Sequence, residues 1–93
     1  MIARFGGEEF VILLPETDAE AALYLAERCR EVIGELQIPH ESSPCGGMVT
    51  ASIGVGTTTP TIEASAREFL TGVDRLLYAA KQAGRDRIVS DTI

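Results

Sequence analysis

Apolar residues recur at helical spacing in two long segments of this chain. The first segment follows Pro15, and its apolar positions are Ala22, Leu25, Cys29, Val32, Ile33 and Leu36. The second segment lies near the carboxy terminus, and its apolar positions are Phe69, Leu70, Val73, Leu76, Leu77 and Ala80. Steps of about three or four residues place such side chains on one face of a helix. The pattern therefore predicts two amphipathic helices, each with one apolar face.

Polar residues and glycines mark where these helices begin and end. The run from Thr17 to Glu20 reads as a capping box, in which the Thr17 hydroxyl accepts from the backbone N–H of Glu20. Ser65 and Glu68 have the same spacing before the second helix. Gly84 follows the second helix and is expected to form a left-handed cap.

Shorter apolar runs at residues 2–5, 10–14, 49–55 and 87–90 predict four strands. Gly54 within the third run indicates a bulge or a close approach of another backbone segment. Residues 37–47 form a loop or a short edge hairpin, and the last three residues are expected to fray. The predicted order is strand, strand, helix, strand, helix, strand, which is typical of an α+β fold.

Two carboxylates lie at the turn between the first two strands. Gly6 and Gly7 are expected to allow positive φ and to let a ligand approach without meeting a Cβ atom. Glu8 and Glu9 follow at the tip, where they would suit a hard cation such as Mg²⁺, which prefers oxygen ligands and is usually shared with phosphates. The alternative is an exposed hairpin whose glutamates only keep the edge of the sheet soluble.

The net charge of −6 argues against binding to a nucleic acid polymer, which normally requires a basic patch. Lys81 and Arg85 are spaced to share one helical face, so both could contact one polyanion. Alternatively, they only complement the negative end of the helix dipole.

No apolar run approaches the roughly 18 residues of a membrane span. We therefore expect a cytoplasmic protein in which residues 1–93 make no direct contact with a membrane.

Residues 4–10, with the sequence Arg-Phe-Gly-Gly-Glu-Glu-Phe, resemble the signature turn of the GGDEF family of diguanylate cyclase domains. Residues 50–56 are similar to a later core strand of that family. Residues 74–81, followed by Gly84 and Arg85, are similar to its last helix. Asp86 stands where many members have Asn. The three segments occur in the family's order.

The resemblance implies that each domain binds one GTP with Mg²⁺ or Mn²⁺, and that two domains in a homodimer produce cyclic di-GMP. Glu8 matches a metal-binding acid and Glu9 the adjacent acid associated with metal and catalysis. Gly6 and Gly7 match the glycines over which the nucleotide passes. The remaining matched site residues, which contact the triphosphate, are Lys81 and Arg85. An alternative is a non-catalytic regulatory module that binds GTP or cyclic di-GMP.

The resemblance also implies a ferredoxin-like cyclase palm with an antiparallel sheet. In that fold a central strand with a second metal-binding aspartate, the guanine-binding residues and an inhibitory Arg-x-x-Asp motif precede the signature turn. We therefore expect residues 1–93 to be a partial GGDEF domain that lacks the first central strand. Such a fragment is expected to be inactive alone, because half of the metal site and the base pocket are missing. It is also expected to associate or exchange strands, because its sheet edges are unpaired.

Overall fold

Two helices and four strands form the chain, all 93 residues of which are described by a computed structural model. In chain order the elements are β1 (Ile2–Arg4), β2 (Phe10–Ile12), α1 (Ala19–Glu35), β3 (Ile53–Thr57), α2 (Ala66–Gln82) and β4 (Ile88–Thr92). The predicted α+β order is confirmed. The third strand begins four residues later than predicted, at Ile53 rather than residue 49.

The strands form two separate two-stranded sheets. β1 and β2 pair antiparallel as a hairpin, with Arg4 opposite Phe10. β3 and β4 pair in parallel, with Ile53 opposite Ile88. The expectation of one antiparallel sheet is therefore wrong for the second pair. Helix α2 connects these strands and returns the chain to the same end of the sheet, as parallel pairing requires.

Gly54 allows β3 to lie directly against the backbone of α2. A Cβ atom built at this position would be 2.8 Å from the carbonyl oxygen of Val73 and 2.9 Å from the carbonyl carbon of Leu76. The predicted close approach of two backbone segments is thus confirmed. It fixes the position of α2, and hence of the residues at its carboxy-terminal end, relative to the parallel sheet.

The two helices are capped by different kinds of residue. Ser65 accepts a hydrogen bond from the Glu68 N–H at 3.3 Å, so the cap predicted for α2 is confirmed. The prediction for α1 is wrong by one residue, because Asp18 is the cap and accepts from the Ala21 N–H at 2.8 Å. The Thr17 hydroxyl instead donates to the carbonyl of Pro15.

Helix α2 ends in the hydrogen-bond pattern of a Schellman motif. Gly84 has a φ of +123°, as predicted for a left-handed cap. Its N–H donates to the carbonyl of Lys81, and the N–H of Arg85 donates to the carbonyl of Ala80. The last three residues do not fray, because β4 extends to Thr92 and the N–H of Ile93 donates to Thr57 at 2.7 Å.

The only buried residues are three alanines where the helices meet the parallel sheet, namely Ala22, Ala26 and Ala80. The face predicted for α1 is only partly covered, since Leu25 and Val32 are 40% and 42% exposed. Helical spacing identifies residues that share a face, but it does not show whether another element covers that face. Neither helix is long and apolar enough to cross a membrane.

The β1–β2 hairpin packs against none of the other strands or helices. The molecule is correspondingly elongated, with principal extents of 47 × 22 × 21 Å. The position of the signature turn relative to α2 therefore depends on side-chain contacts at the hairpin tip.

Candidate functional site

Within the signature turn, a loop from Phe5 to Glu9 joins β1 to β2. The N–H groups of Phe5 and Gly6 both donate to the carbonyl of Glu9, at 2.8 and 3.3 Å. Neither Gly6 nor Gly7 has positive φ, so that expectation is wrong. A loop of this length closes through the bonds to Glu9 and does not need the left-handed backbone of a two-residue turn.

The surface around Gly7 is open. A Cβ atom built on Gly7 would have no heavy atom within 4 Å, and one on Gly6 would first meet the Glu9 carboxylate at 3.7 Å. The glycines thus present bare backbone to solvent next to the acidic residues. The expectation that a ligand could approach here without steric hindrance is consistent with this geometry.

Arg4 holds the loop through its guanidinium group. Its Nε donates to the carbonyl of Gly6 at 3.1 Å, and its Nη2 donates to the carbonyl of Gly7 at 2.7 Å. Both bonds need the planar fork of donors that arginine carries and lysine lacks. No role for Arg4 was predicted from the sequence. The sequence signal for this role was an arginine, which carries a planar fork of donors, close before a glycine pair. The carbonyls of these glycines have no partner in a strand.

The two carboxylates of the turn have different environments. Glu8 is exposed and takes part in no ion pair within the chain. Glu9 is half-buried, and its Oε1 accepts a hydrogen bond from Lys81 Nζ at 3.2 Å. One acid is therefore free to take a cation, while the other is already neutralised by a charge from α2.

The two cations predicted to bind phosphate do not share a helical face. Lys81 lies in the last turn of α2, but Arg85 lies beyond the Gly84 cap with a φ of +64°. The helical face predicted from their four-residue spacing does not exist, because the helix ends at Gln82. Arg85 is exposed and takes part in no ion pair. Its charge is available for a ligand.

The chain contains no group of three or more His, Cys, Asp or Glu side chains that could hold a metal ion by themselves. The donor set at the turn is instead one free carboxylate beside open backbone. That set fits Mg²⁺ in the common arrangement in which one or two carboxylates and the phosphates of a bound nucleotide share the ion.

The chain matches a family model and several curated proteins. The family model described as "Diguanylate cyclase, GGDEF domain" matches residues 1–87. Diguanylate cyclase A of Treponema denticola is 41% identical over 86 residues, which are 92% of this chain and 22% of that protein. Diguanylate cyclase DgcP of Pseudomonas aeruginosa is 45% identical over 87 residues, which are 94% of this chain and 12% of that protein.

Diguanylate cyclase DgcM of Escherichia coli is 34% identical over 90 residues, which are 97% of this chain and 20% of that protein. The chain thus spans less than a quarter of the length of these curated relatives. No solved structure matches it.

Proposed function

Since this chain belongs to the GGDEF family, we propose that it is part of a diguanylate cyclase domain that condenses two molecules of GTP into cyclic di-GMP. The observation that carries the proposal is the pair of carboxylates on the signature turn. Glu8 is unpaired at an open surface, and Glu9 is joined to Lys81, a cation suited to phosphate.

Glu8 is the residue proposed to hold Mg²⁺, together with phosphate oxygens of the nucleotide; Mn²⁺ would satisfy the same donors. When bound, the ion would neutralise phosphate charge and lower the pKa of the attacking 3′-hydroxyl group. Arg4 keeps the turn in one conformation by holding the carbonyls of Gly6 and Gly7. The nucleotide would pass over these glycines, where no side chain obstructs it.

Lys81 has two roles in this proposal. It pairs with Glu9 at 3.2 Å and connects the hairpin tip to α2. With nucleotide, its three donors allow it to contact a phosphate as well as Glu9. Arg85 supplies a second charge for the triphosphate. The two cations thereby place a local positive charge in a chain whose net charge is −6.

Each such domain carries one nucleotide, so the formation of two bonds between two GTP molecules calls for two domains facing each other. We accordingly propose a homodimer in the cytoplasm, where GTP is available, and a ferredoxin-like palm as the complete fold. The stretch of 93 residues is expected to be inactive alone, because its signature turn offers the cation a single carboxylate without an ion-pair partner. The other ligands and the base pocket would come from outside it.

The test is to incubate the full-length protein with GTP and Mg²⁺ and to measure cyclic di-GMP by chromatography. Product should form, and Glu8→Gln should abolish it because the neutral amide is a weak ligand for Mg²⁺. Glu41→Gln is a matched control that removes the same charge from an exposed loop residue. GTP binding without any product would refute the cyclase proposal and favour the regulatory module.

A further inference from the structure

Arg85 and Asp86 are two consecutive residues with left-handed backbone, at φ of 64° and 46°. Residues other than glycine disfavour this region because their Cβ atom approaches the following carbonyl oxygen. Two such residues in succession persist only where neighbouring groups hold them. The direction in which Arg85 leaves the backbone therefore depends on whatever maintains this turn.

Hydrogen bonds from three donor groups hold the turn at Arg85 and Asp86. The Arg85 N–H donates to Ala80 at 3.0 Å, and the Arg85 carbonyl accepts from Arg87 Nε at 2.9 Å. The third donor comes from another part of the fold. Arg30 on α1 donates from Nη1 to Asp86 Oδ1 at 3.1 Å and approaches the Asp86 carbonyl at 3.5 Å.

Arg30 is suited to hold Asp86 from a rigid position. Its Nη2 lies 3.5 Å from Glu27 Oε2 on the same helix, so the guanidinium is fixed on both sides. The hydrogen bond to Asp86 is the main cause of a raised pKa of Arg30, which burial partly opposes. The side chains of Arg30 and Asp86 are 32% and 42% exposed, and such surface pairs contribute little to folding stability.

We propose that Arg30 is a positioning residue for nucleotide binding, which acts through Asp86 to keep Arg85 directed at the triphosphate. This inference rests on the proposed function, in which Arg85 contacts the phosphates. Loss of the Arg30 contact lets the turn relax towards more favourable backbone angles. Relaxation turns the Cα–Cβ bond of Arg85. Because the guanidinium lies several bonds further along the side chain, it is displaced as well. The positive charge remains on the protein but no longer meets the phosphates in a fixed geometry.

The experiment measures the dissociation constant of GTP with Mg²⁺ by calorimetric titration of the full-length protein. Arg30→Met should weaken binding about five- to tenfold, because a charged contact is misdirected rather than removed. Arg28→Met is the matched control. It removes the same charge from the same helix, but Arg28 pairs only with Glu31 within that helix, at 2.9 Å. We expect this control to change binding by less than about twofold.

Two further variants separate positioning from folding. Combining Arg30→Met with Arg85→Met should bind GTP no more weakly than Arg85→Met alone, since Arg30 has nothing left to position. Asp86→Asn retains an oxygen that accepts from Arg30 and should keep most of the affinity. Urea unfolding midpoints of the Arg30 and Arg28 variants should agree.

Additive losses from Arg30→Met and Arg85→Met would overturn the inference, and so would an Arg30→Met protein with unchanged affinity. Failure of the cyclase proposal has a different signature. The wild-type protein would then bind GTP and form no cyclic di-GMP, while the coupling between Arg30 and Arg85 in binding would still be measured.

Discussion

Adding one methyl group at Gly54 should destabilise the fold more than its size suggests. In Gly54→Ala the new carbon would lie 2.8 Å from the Val73 carbonyl oxygen and 2.9 Å from the Leu76 carbonyl carbon. Carbon atoms prefer separations of about 3.5 to 4.0 Å, so α2 must move by roughly half an ångström or more. Both obstacles are helix backbone, which cannot rotate away as a side chain could.

Overpacking of this kind typically costs about 1–3 kcal/mol, and we expect Gly54→Ala to be at the upper end of that range. For a small domain with a urea m-value of about 1 to 1.5 kcal/mol/M, a loss of about 3 kcal/mol lowers the unfolding midpoint by roughly 2 to 3 M. Far-UV circular dichroism during urea titration measures this change.

Gly34→Ala is the matched control for the same chemical change. Gly34 lies in the last turn of α1, and a Cβ built there meets no atom within 4 Å. Alanine is the better helix former, so this variant should be more stable by about 0.5 to 1 kcal/mol. The two substitutions should therefore shift the midpoint in opposite directions. A midpoint for Gly54→Ala equal to that of the wild-type protein would refute the argument from backbone contact.

Three other substitutions test separate contacts. Asp18→Ala should lower the free energy of unfolding by about 1 kcal/mol because it removes the helix cap, and urea titration should show a much smaller loss for Thr17→Ala; equal losses would mean that the cap is wrongly assigned. Arg4→Lys cannot reach both loop carbonyls, so we expect faster amide hydrogen exchange in the turn and weaker GTP binding, and unchanged exchange would argue against a clamp. Lys81→Met removes the partner of Glu9 and should weaken GTP binding about tenfold or more in calorimetric titration, while changing the free energy of unfolding by less than about 1 kcal/mol; the reverse pattern would indicate a purely structural ion pair.

Local signals in the sequence predicted those parts of the fold that local chemistry determines. Ser65 and Gly84 cap α2 as expected, because a cap depends on a few neighbouring backbone groups. At α1 the predicted cap was Thr17 and the observed cap is Asp18, because both residue types can cap a helix and only the backbone path decides which one does. The two helices and the hairpin followed from hydrophobic periodicity and the glycine pair.

Contacts between distant segments could not be predicted in the same way. The ion pair of Lys81 with Glu9 joins residues 72 positions apart, and that of Arg30 with Asp86 joins residues 56 apart. Neither spacing has a periodic signature. The parallel pairing of β3 with β4 likewise depends on how α2 crosses the sheet.

The relation between Lys81 and Arg85 shows how a correct local prediction can undermine another. Gly84 was correctly expected to end the helix, and for that reason Arg85 could not share a helical face with Lys81. The left-handed backbone of Arg85 and Asp86 after the cap determines where the second cation lies.

The measurement that tests the central claim most directly is paramagnetic broadening of backbone amide signals in the full-length protein by Mn²⁺ with a non-hydrolysable GTP analogue. The account predicts that substoichiometric Mn²⁺ broadens the signals of Gly7 and Glu8 first, and that Glu8→Gln abolishes this selective effect while Glu41→Gln retains it. Broadening that is strongest at other acidic residues, or that is unchanged in Glu8→Gln, would contradict a divalent cation bound at the signature turn.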